Sequence, residues 1–227
     1  WLPEAHPAAP SHVSALMSGV MIKTGIYGLV RILFFLGTPA WWWGWTLLVV
    51  GLTSGILGVL FAISQHDLKR LLAYHSVENI GIIAIGLGIG LLGLSWHNSF
   101  VAIIGFSGGL LHVLNHAVFK GLLFLGSGAV LVKTGTREID HLGGLLKKMP
   151  WTAAAFLTGC VSISGLPPFN GFISEFLIYM AAFHAVLYGT SALTAPGMLV
   201  ILGLSLIGGL AAACFAKAFS VVFLGTA

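Results

Sequence analysis

The side chains best suited to chemistry in this sequence are ionisable groups inside strongly apolar segments. His112, His116 and Lys120 are four residues apart, which places them on one helical stripe about 12 Å long. Histidine changes its charge close to neutral pH, so the stripe predicts a proton relay. A metal or haem ligand pair is an alternative, with His75 or His184 as a second haem ligand, but no HExxH motif, cysteine or carboxylate accompanies the stripe. Structural histidines are the remaining interpretation.

Two further charged residues lie deep in apolar surroundings. Lys23 is about ten residues into the first apolar segment, too deep for its ammonium to reach water easily. A desolvated lysine can load and unload a proton near neutral pH, and a structural ion pair is the alternative. Glu175 follows a Pro-Pro sequence, where burial and the dipoles of a helix start act on its proton in opposite directions. We therefore expect Glu175 to remain titratable.

Other reactive residue types have weaker signals. Lys217, in the last apolar segment, is a further candidate for a proton path. His75 and Glu78 lie near the start of the third segment and are interpreted as an interfacial cap. Cys160 and Cys214 occur singly in apolar runs without a CxxC spacing, so we expect them to pack rather than to form a disulfide or bind a metal.

Membrane-spanning helices must position these residues. Only 7% of the 227 residues are charged, 58% are hydrophobic and the mean hydropathy is +1.03, whereas soluble domains contain about 25% charged residues. Stretches 32–65, 149–174 and 185–216 lack any charged residue or histidine, and each exceeds the ~20 residues that span a bilayer. The chain is therefore an all-α polytopic membrane protein, and a soluble globule, a disordered chain, a disulfide scaffold and a nucleic-acid binder are excluded.

Seven apolar segments indicate about seven transmembrane helices. The fifth has fifteen residues, about 22 Å of helix, which is shorter than the membrane core. The sequence GLPPFNG at 165–171 then interrupts it, and such a break at membrane depth is tolerated where it lines protein or a wet cavity. A plain loop between two short helices is the alternative. The segments lie near 13–36, 45–64, 70–94, 100–132, 151–165, 170–189 and 197–225.

Charge placement predicts an orientation. Lys69 and Arg70 lie in one connection and the basic residues of 133–148 in another. Two crossings separate these connections, so they share a side, which the positive-inside rule makes cytoplasmic. The chain begins at Trp1 without a signal sequence and ends in an apolar run, and we expect an internal piece of a longer protein.

Four motifs resemble the proton-conducting antiporter-like membrane subunits of complex I. They cover nearly the whole chain in the order found in that family. The sequences HSVENIG at 75–81 and PPFNGF at 167–172 are most similar to the branch of hydrogenase-4 component B and the formate hydrogenlyase membrane subunit. The motifs are WLPEAHPAAP at 1–10 running on to KTGIYG at 23–28, DLKRLLAYHS at 67–76, HVLNHAVFK at 112–120 and GLPPFNGF at 165–172.

The resemblance implies about fourteen spans with two inverted five-helix repeats, each containing one broken helix. This chain would run from the seventh to the thirteenth span, with residues 1–64 ending the first repeat and 65–227 forming the second, truncated at both ends. Lys23 matches the charged residue of the first broken helix and Glu175 that of the second, which is lysine or glutamate among members. Four residues match the central polar axis: Lys69, His112, His116 and Lys120.

One departure from the family pattern concerns the second segment. Many members have a lysine or histidine there, whereas only Thr53 and Ser54 interrupt the apolar run of 45–64 in this sequence. The connection between the two half-channels is therefore expected to depend on water or on residues elsewhere.

The resemblance implies a non-catalytic subunit that translocates protons, coupled to electron transfer in partner subunits. The chain itself would hold no redox cofactor and no metal. Its partners would be other membrane subunits and a hydrophilic arm with iron–sulfur clusters and a nickel–iron hydrogenase or quinone-reducing module, in the inner membrane of a bacterium or archaeon. A multi-subunit sodium/proton antiporter and a non-conducting membrane anchor are the alternatives.

Overall fold

A computed structural model describes residues 1–37 and 39–225, and the regular secondary structure of this part is helical. A short helix, Leu2–Ala8, precedes the first long crossing, Ser11–Phe35, and is separate from it. Two π-helical turns occur, at Met17–Met21 and Ser220–Leu224. A short 3₁₀ turn, Ile139–His141, lies in the basic connection. The α-helices are α1 Leu2–Ala8, α2 Ser11–Leu16, α3 Ile22–Phe35, α4 Trp41–Ile63, α5 Leu68–Ser95, α6 Ser99–Thr134, α7 Leu145–Lys148, α8 Pro150–Ile163, α9 Asn170–Tyr188 and α10 Ser191–Phe219.

Six helices of the described residues are long and apolar enough to cross a membrane, which confirms a polytopic membrane protein. The six are the continuous α2–π–α3 helix, α4, α5, α6, α9 and α10 with its π-helical end. All seven predicted apolar segments are helical, and α8 is the short one.

The fifth and sixth segments share one crossing of the bundle. Helix α8 packs on the C-terminal half of α6, where Gly159 lies against Leu123. Helix α9 packs on the N-terminal half of α6, where Gly108 lies against Ile178. Six residues separate the end of α8 at Ile163 from the start of α9 at Asn170, so the two helices form the halves of an interrupted helix, as the Pro-Pro sequence predicts.

Helix α5 is the centre of the bundle, enclosed by α4 on one side and by α6 on the other. Small residues allow these close contacts: a Cβ at Gly81 would lie 2.6 Å from the carbonyl oxygen of Gly51, and one at Gly86 would lie 2.8 Å from the Cα of Gly109. Such backbone proximity is the usual form of helix packing in lipid. It holds the polar residues of α5 between those of the first crossing and those of α6.

The two basic connections lie on the same side of the bundle, as the charge pattern predicts. The amide of Leu68 donates to the carbonyl of Arg137 at 3.0 Å, and that of Ile139 donates to the carbonyl of His66 at 2.7 Å. An ion pair between Arg137 and Asp67 adds a side-chain contact. The connections are thus hydrogen-bonded to each other, while the assignment of this side to the cytoplasm stays a prediction.

Candidate functional site

The predicted stripe on α6 is fully buried in the bundle. His112, His116 and Lys120 each have 0% of their surface exposed. His112 is hydrogen-bonded through both ring nitrogens, to Ser174 Oγ at 2.9 Å and to Asn79 Oδ1 at 3.0 Å. The His112 ring lies nearly parallel to that of His116, with their centres 6.4 Å apart and 8° between their planes. The two imidazoles are therefore neighbouring, nearly parallel rings on one face of α6.

His116 differs from His112 in its hydrogen bonding. Neither ring nitrogen of His116 has a hydrogen-bond partner among the described side chains and backbone. Its ring contacts the edge of Phe119 at a centroid distance of 5.5 Å. An unpaired buried polar group is costly, so His116 is not a histidine held in place by hydrogen bonds to the described residues.

The ammonium of Lys120 lies at the α5–α6 contact. It donates a hydrogen bond to the carbonyl of Leu72 on α5, and its nitrogen lies 5.8 Å from the centre of the Phe124 ring. One carbonyl and one aromatic face are weak compensation for removing a full charge from water. Lys120 is thus a fully buried ammonium whose hydrogen-bond acceptor is a backbone carbonyl of α5.

Lys23 is a second buried lysine, and it lies in the first crossing. It is 8% exposed and comes two residues after the π-helical turn Met17–Met21. Its ammonium donates to the carbonyl of Ser18 within that turn. A π-helical turn changes the hydrogen-bond register of a helix and is frequent at functional sites, so the local backbone provides the acceptor that holds Lys23.

Glu175 lies at the break between α8 and α9. It is in the second turn of α9, is 8% exposed, and lies against Gly165. Gly165 has a φ of +62°, which favours glycine for the turn, and a Cβ there would displace the Glu175 carboxylate. Glu175 also lines a cavity of about 290 Å³ together with Tyr179 and Ser205.

Polar contacts join this break to the α6 stripe. Asn115 on α6 donates to the carbonyl of Asn170 at 2.7 Å and to Ser174 Oγ at 3.0 Å. Ser174 is also the residue that hydrogen-bonds His112 and directly precedes Glu175. These hydrogen bonds fix the start of α9 to α6. The residue that His112 contacts, Ser174, is the sequence neighbour of the buried Glu175.

The other two predicted lysines lie near the ends of helices. Lys69 is 2% exposed, and its ammonium donates to the carbonyl of Ala9 at 2.8 Å, beside the segment between α1 and α2. Lys217 is exposed and donates to the carbonyl of Ile63 at 3.2 Å, the last residue of α4. A cation at a helix C-terminus has an ordinary stabilising role. The structure does not bring Lys217 together with the buried residues His112, His116 and Lys120.

Two residues of α5 have a different place from the interfacial cap expected of them. His75 and Glu78 are 0% and 1% exposed, and His75 Nδ1 forms a hydrogen bond with the Glu78 carboxylate. The His75 ring also lies 4.3 Å from that of Phe215 on α10. Asp67 is the true cap of α5, because its side chain accepts from the first amides of that helix. The spacing signalled this, since both residues are at least two turns beyond the cap.

His6, outside the spans in α1, is a buried histidine that sequence reasoning overlooked. It is 0% exposed, stacks on Phe124 with ring centres 4.7 Å apart, and has no hydrogen-bond partner on either ring nitrogen among the described residues. Burial, followed by the positive charges of Lys120 and Lys69, lowers the pKa of His6 from 6.5 to about 4. The imidazole is therefore neutral at pH 7.

His6 predicts a pH dependence of stability. Between about pH 6.5 and pH 4 the unfolded chain binds a proton at His6 that the folded chain excludes, so stability is full above pH 6.5 and falls as the pH drops toward 4. The loss is at most about 3 kcal/mol. We expect His6→Phe, which keeps the stack on Phe124, to show a smaller fall in melting temperature between pH 7.5 and pH 5 than wild type in detergent. His12→Gln, at an exposed histidine, is the control; an unchanged pH dependence in His6→Phe would contradict this assignment.

Comparison with known proteins places the chain in one family. Residues 1–199 match the transmembrane family described as NADH:quinone oxidoreductase/Mrp antiporter. The chain is 48% identical to hydrogenase-4 component B and 43% identical to formate hydrogenlyase subunit 3, both of Escherichia coli K12, over 99% of its own length in each case. It spans about a third of those relatives, 34% and 37% of their lengths. All of the chain also superposes on 38% of a chain in the Mrp complex from Dietzia sp. DQ12-45-1b, with 30% identity and a TM-score of 0.81.

Proposed function

Because this chain belongs to the NADH:quinone oxidoreductase/Mrp antiporter transmembrane family, we propose that it translocates protons within a complex I-like or membrane-bound hydrogenase complex. The observation that carries this proposal is the row of buried ionisable groups inside the bundle. The row consists of Lys23, Lys120, His116, His112 and Glu175. A purely structural bundle gains nothing from such groups, since each is costly in hydrocarbon.

The order of the groups gives a path. Lys69 lies at the N-terminus of α5, on the side of the basic connections, and is proposed as the group that exchanges protons with that side. Lys23 and Lys120 hold protons in the bundle, His116 and His112 pass them along α6, and Glu175 holds them at the break between α8 and α9. We assign Lys217, which was also expected on the path, to the C-terminus of α4.

The electron-transfer chemistry belongs to other subunits in this proposal. The relatives are named as components of hydrogenase-4 and formate hydrogenlyase, so the chain is one of several subunits of a multi-pass membrane complex. We propose that the partners include a hydrophilic arm with iron–sulfur clusters and a hydrogenase or dehydrogenase module. The bacterial or archaeal inner membrane is the proposed location, and residues 1–64 and 65–227 are proposed as parts of two inverted repeats.

A second candidate function is a subunit of a sodium/proton antiporter. The superposition on a chain of the Mrp complex is the observation that favours it. Both functions use the same buried row, and they differ in the driving force and in the second ion. They are distinguished by whether ion movement follows electron transfer or a sodium gradient.

The test uses the full-length subunit in its purified complex, reconstituted into vesicles with a trapped pH indicator. We expect addition of the electron donor to drive proton movement in sodium-free potassium buffer, and a protonophore to abolish the signal. Proton movement that requires a sodium gradient and no electron donor would favour the antiporter. Electron transfer without any proton movement would contradict both candidate functions and would favour a non-conducting membrane anchor.

A further inference from the structure

A pair of serine hydroxyls connects the first crossing to the centre of the bundle. Ser18 Oγ and Ser76 Oγ are 2.8 Å apart, and either can be the donor. Both residues have 0% of their surface exposed. Ser18 lies in the π-helical turn Met17–Met21, and Ser76 lies on α5. A hydroxyl both donates and accepts, so this contact works in either direction.

The serine pair lies directly between the two buried lysines. On one side, the carbonyl of Ser18 accepts from the ammonium of Lys23. On the other, Ser76 Oγ donates to the carbonyl of Leu72 at 3.3 Å, and that carbonyl also accepts from the ammonium of Lys120. Each ammonium thus donates to a backbone carbonyl, and each carbonyl is next to one hydroxyl of the pair: Ser18 O belongs to the same residue as one hydroxyl, and Leu72 O accepts from the other.

The neighbouring helix α4 has no comparable groups. Its sequence from Trp41 to Ile63 contains no lysine, arginine, aspartate, glutamate or histidine. The hydroxyls of Thr53 and Ser54 are exposed and donate to carbonyls of α4 itself, including that of Val50. Protons moving between Lys23 and Lys120 therefore have the serine pair, and not α4, beside them.

We propose that the Ser18–Ser76 hydroxyl pair carries protons between Lys23 and Lys120, an inference that rests on the proposed function. The Lys23 stem swings its ammonium from the carbonyl of Ser18 to the hydroxyl of the same residue. As an N–H bond of Lys23 breaks, Ser18 Oγ takes that proton and gives its own to Ser76 Oγ. The proton of Ser76 passes to the neutral amine of Lys120, where a new N–H bond forms. The transfers are concerted, so neither oxygen holds a net charge, and rotation of the two hydroxyls resets the pair.

The test measures protons moved per electron pair in the reconstituted complex. Ser18→Ala and Ser76→Ala remove one hydroxyl each with little change in volume, and each is expected to lower the ratio about tenfold, since positioned proton carriers contribute roughly 10²–10⁴-fold to a transfer step. The double variant is expected to be no worse than either single one, because both break the same connection. Ser76→Thr retains a hydroxyl and is expected to recover most of the ratio, a result that a packing role for the hydroxyl would not give.

Ser127→Ala is the matched control. Ser127 is also buried on a crossing, but its hydroxyl donates to the carbonyl of Phe124 in its own helix. An equal loss in Ser127→Ala would overturn the proposal, and so would a normal ratio in Ser18→Ala and Ser76→Ala. A normal ratio in those variants, together with loss of pumping in Lys23→Ala, would contradict the role of the serine pair and remain consistent with the proposed function. Normal pumping by Lys23→Ala would contradict the role of the serine pair and the proposed proton path.

Discussion

Replacing Lys23 with alanine in the full-length complex is expected to reduce proton pumping by about tenfold or more, because positioned proton carriers contribute roughly 10²–10⁴-fold to a transfer step. Lys23 is nearly fully buried, and its ammonium is held by a backbone carbonyl of the π-helical turn rather than by a carboxylate. In the proposed function, Lys23 releases its proton and takes it up again at this place. Initial rates of vesicle acidification at matched rates of electron transfer provide the measurement.

Arginine at the same position separates charge from titration. Lys23→Arg keeps the positive charge, but a guanidinium stays protonated at any working pH, so this variant is also expected not to pump. Arg31→Gln is the control, since Arg31 is an exposed charge on the same helix and its loss should leave pumping unchanged. If Lys23→Arg pumps like wild type, Lys23 supplies only a positive charge and the loading site lies elsewhere.

Much of the architecture follows from composition and spacing. Long apolar runs require helices, because hydrocarbon offers the backbone no other hydrogen-bond partners, and every predicted segment is helical in the described residues. The four-residue spacing placed His112, His116 and Lys120 on one buried stripe. The sequence Pro167-Pro168 marked the break that separates α8 from α9.

The contacts between helices could not be predicted in the same way. The hydrogen bonds of Ser18 with Ser76 and of His112 with Asn79 join residues far apart in the chain. Serine and asparagine are common in membrane helices, where they also bond to their own backbone, so their presence does not identify a partner. The placement of Lys217 shows the same limit: its apolar neighbourhood in sequence made it a candidate for the proton path and did not indicate that its side chain is exposed and donates to the last carbonyl of α4.

Glu175→Gln is expected to assemble normally and to lose most of the proton pumping. Glutamine keeps the shape of the carboxylate beside Gly165, so the turn between α8 and α9 should survive, but the amide cannot hold and release a proton. The physical basis is electrostatic: a unit positive charge about 10 Å away changes the free energy of the carboxylate by about 1.7 kcal/mol at an effective dielectric constant of 20. That is a little over tenfold in proton affinity, so a positive charge arriving at that distance favours release of the proton and does not force it alone.

Two further variants decide whether titration at Glu175 is the relevant property. Glu175→Lys restores a titratable group at the same place and is expected to recover part of the pumping that Glu175→Gln loses. Glu138→Gln removes an exposed carboxylate from the basic connection and is expected to pump like wild type. Assembly is followed by copurification of the partner subunits, so that loss of pumping is read only from intact complexes. A Glu175→Gln complex that pumps at the wild-type ratio would make Glu175 a packing residue of the broken helix, because a glutamine amide cannot hold and release a proton.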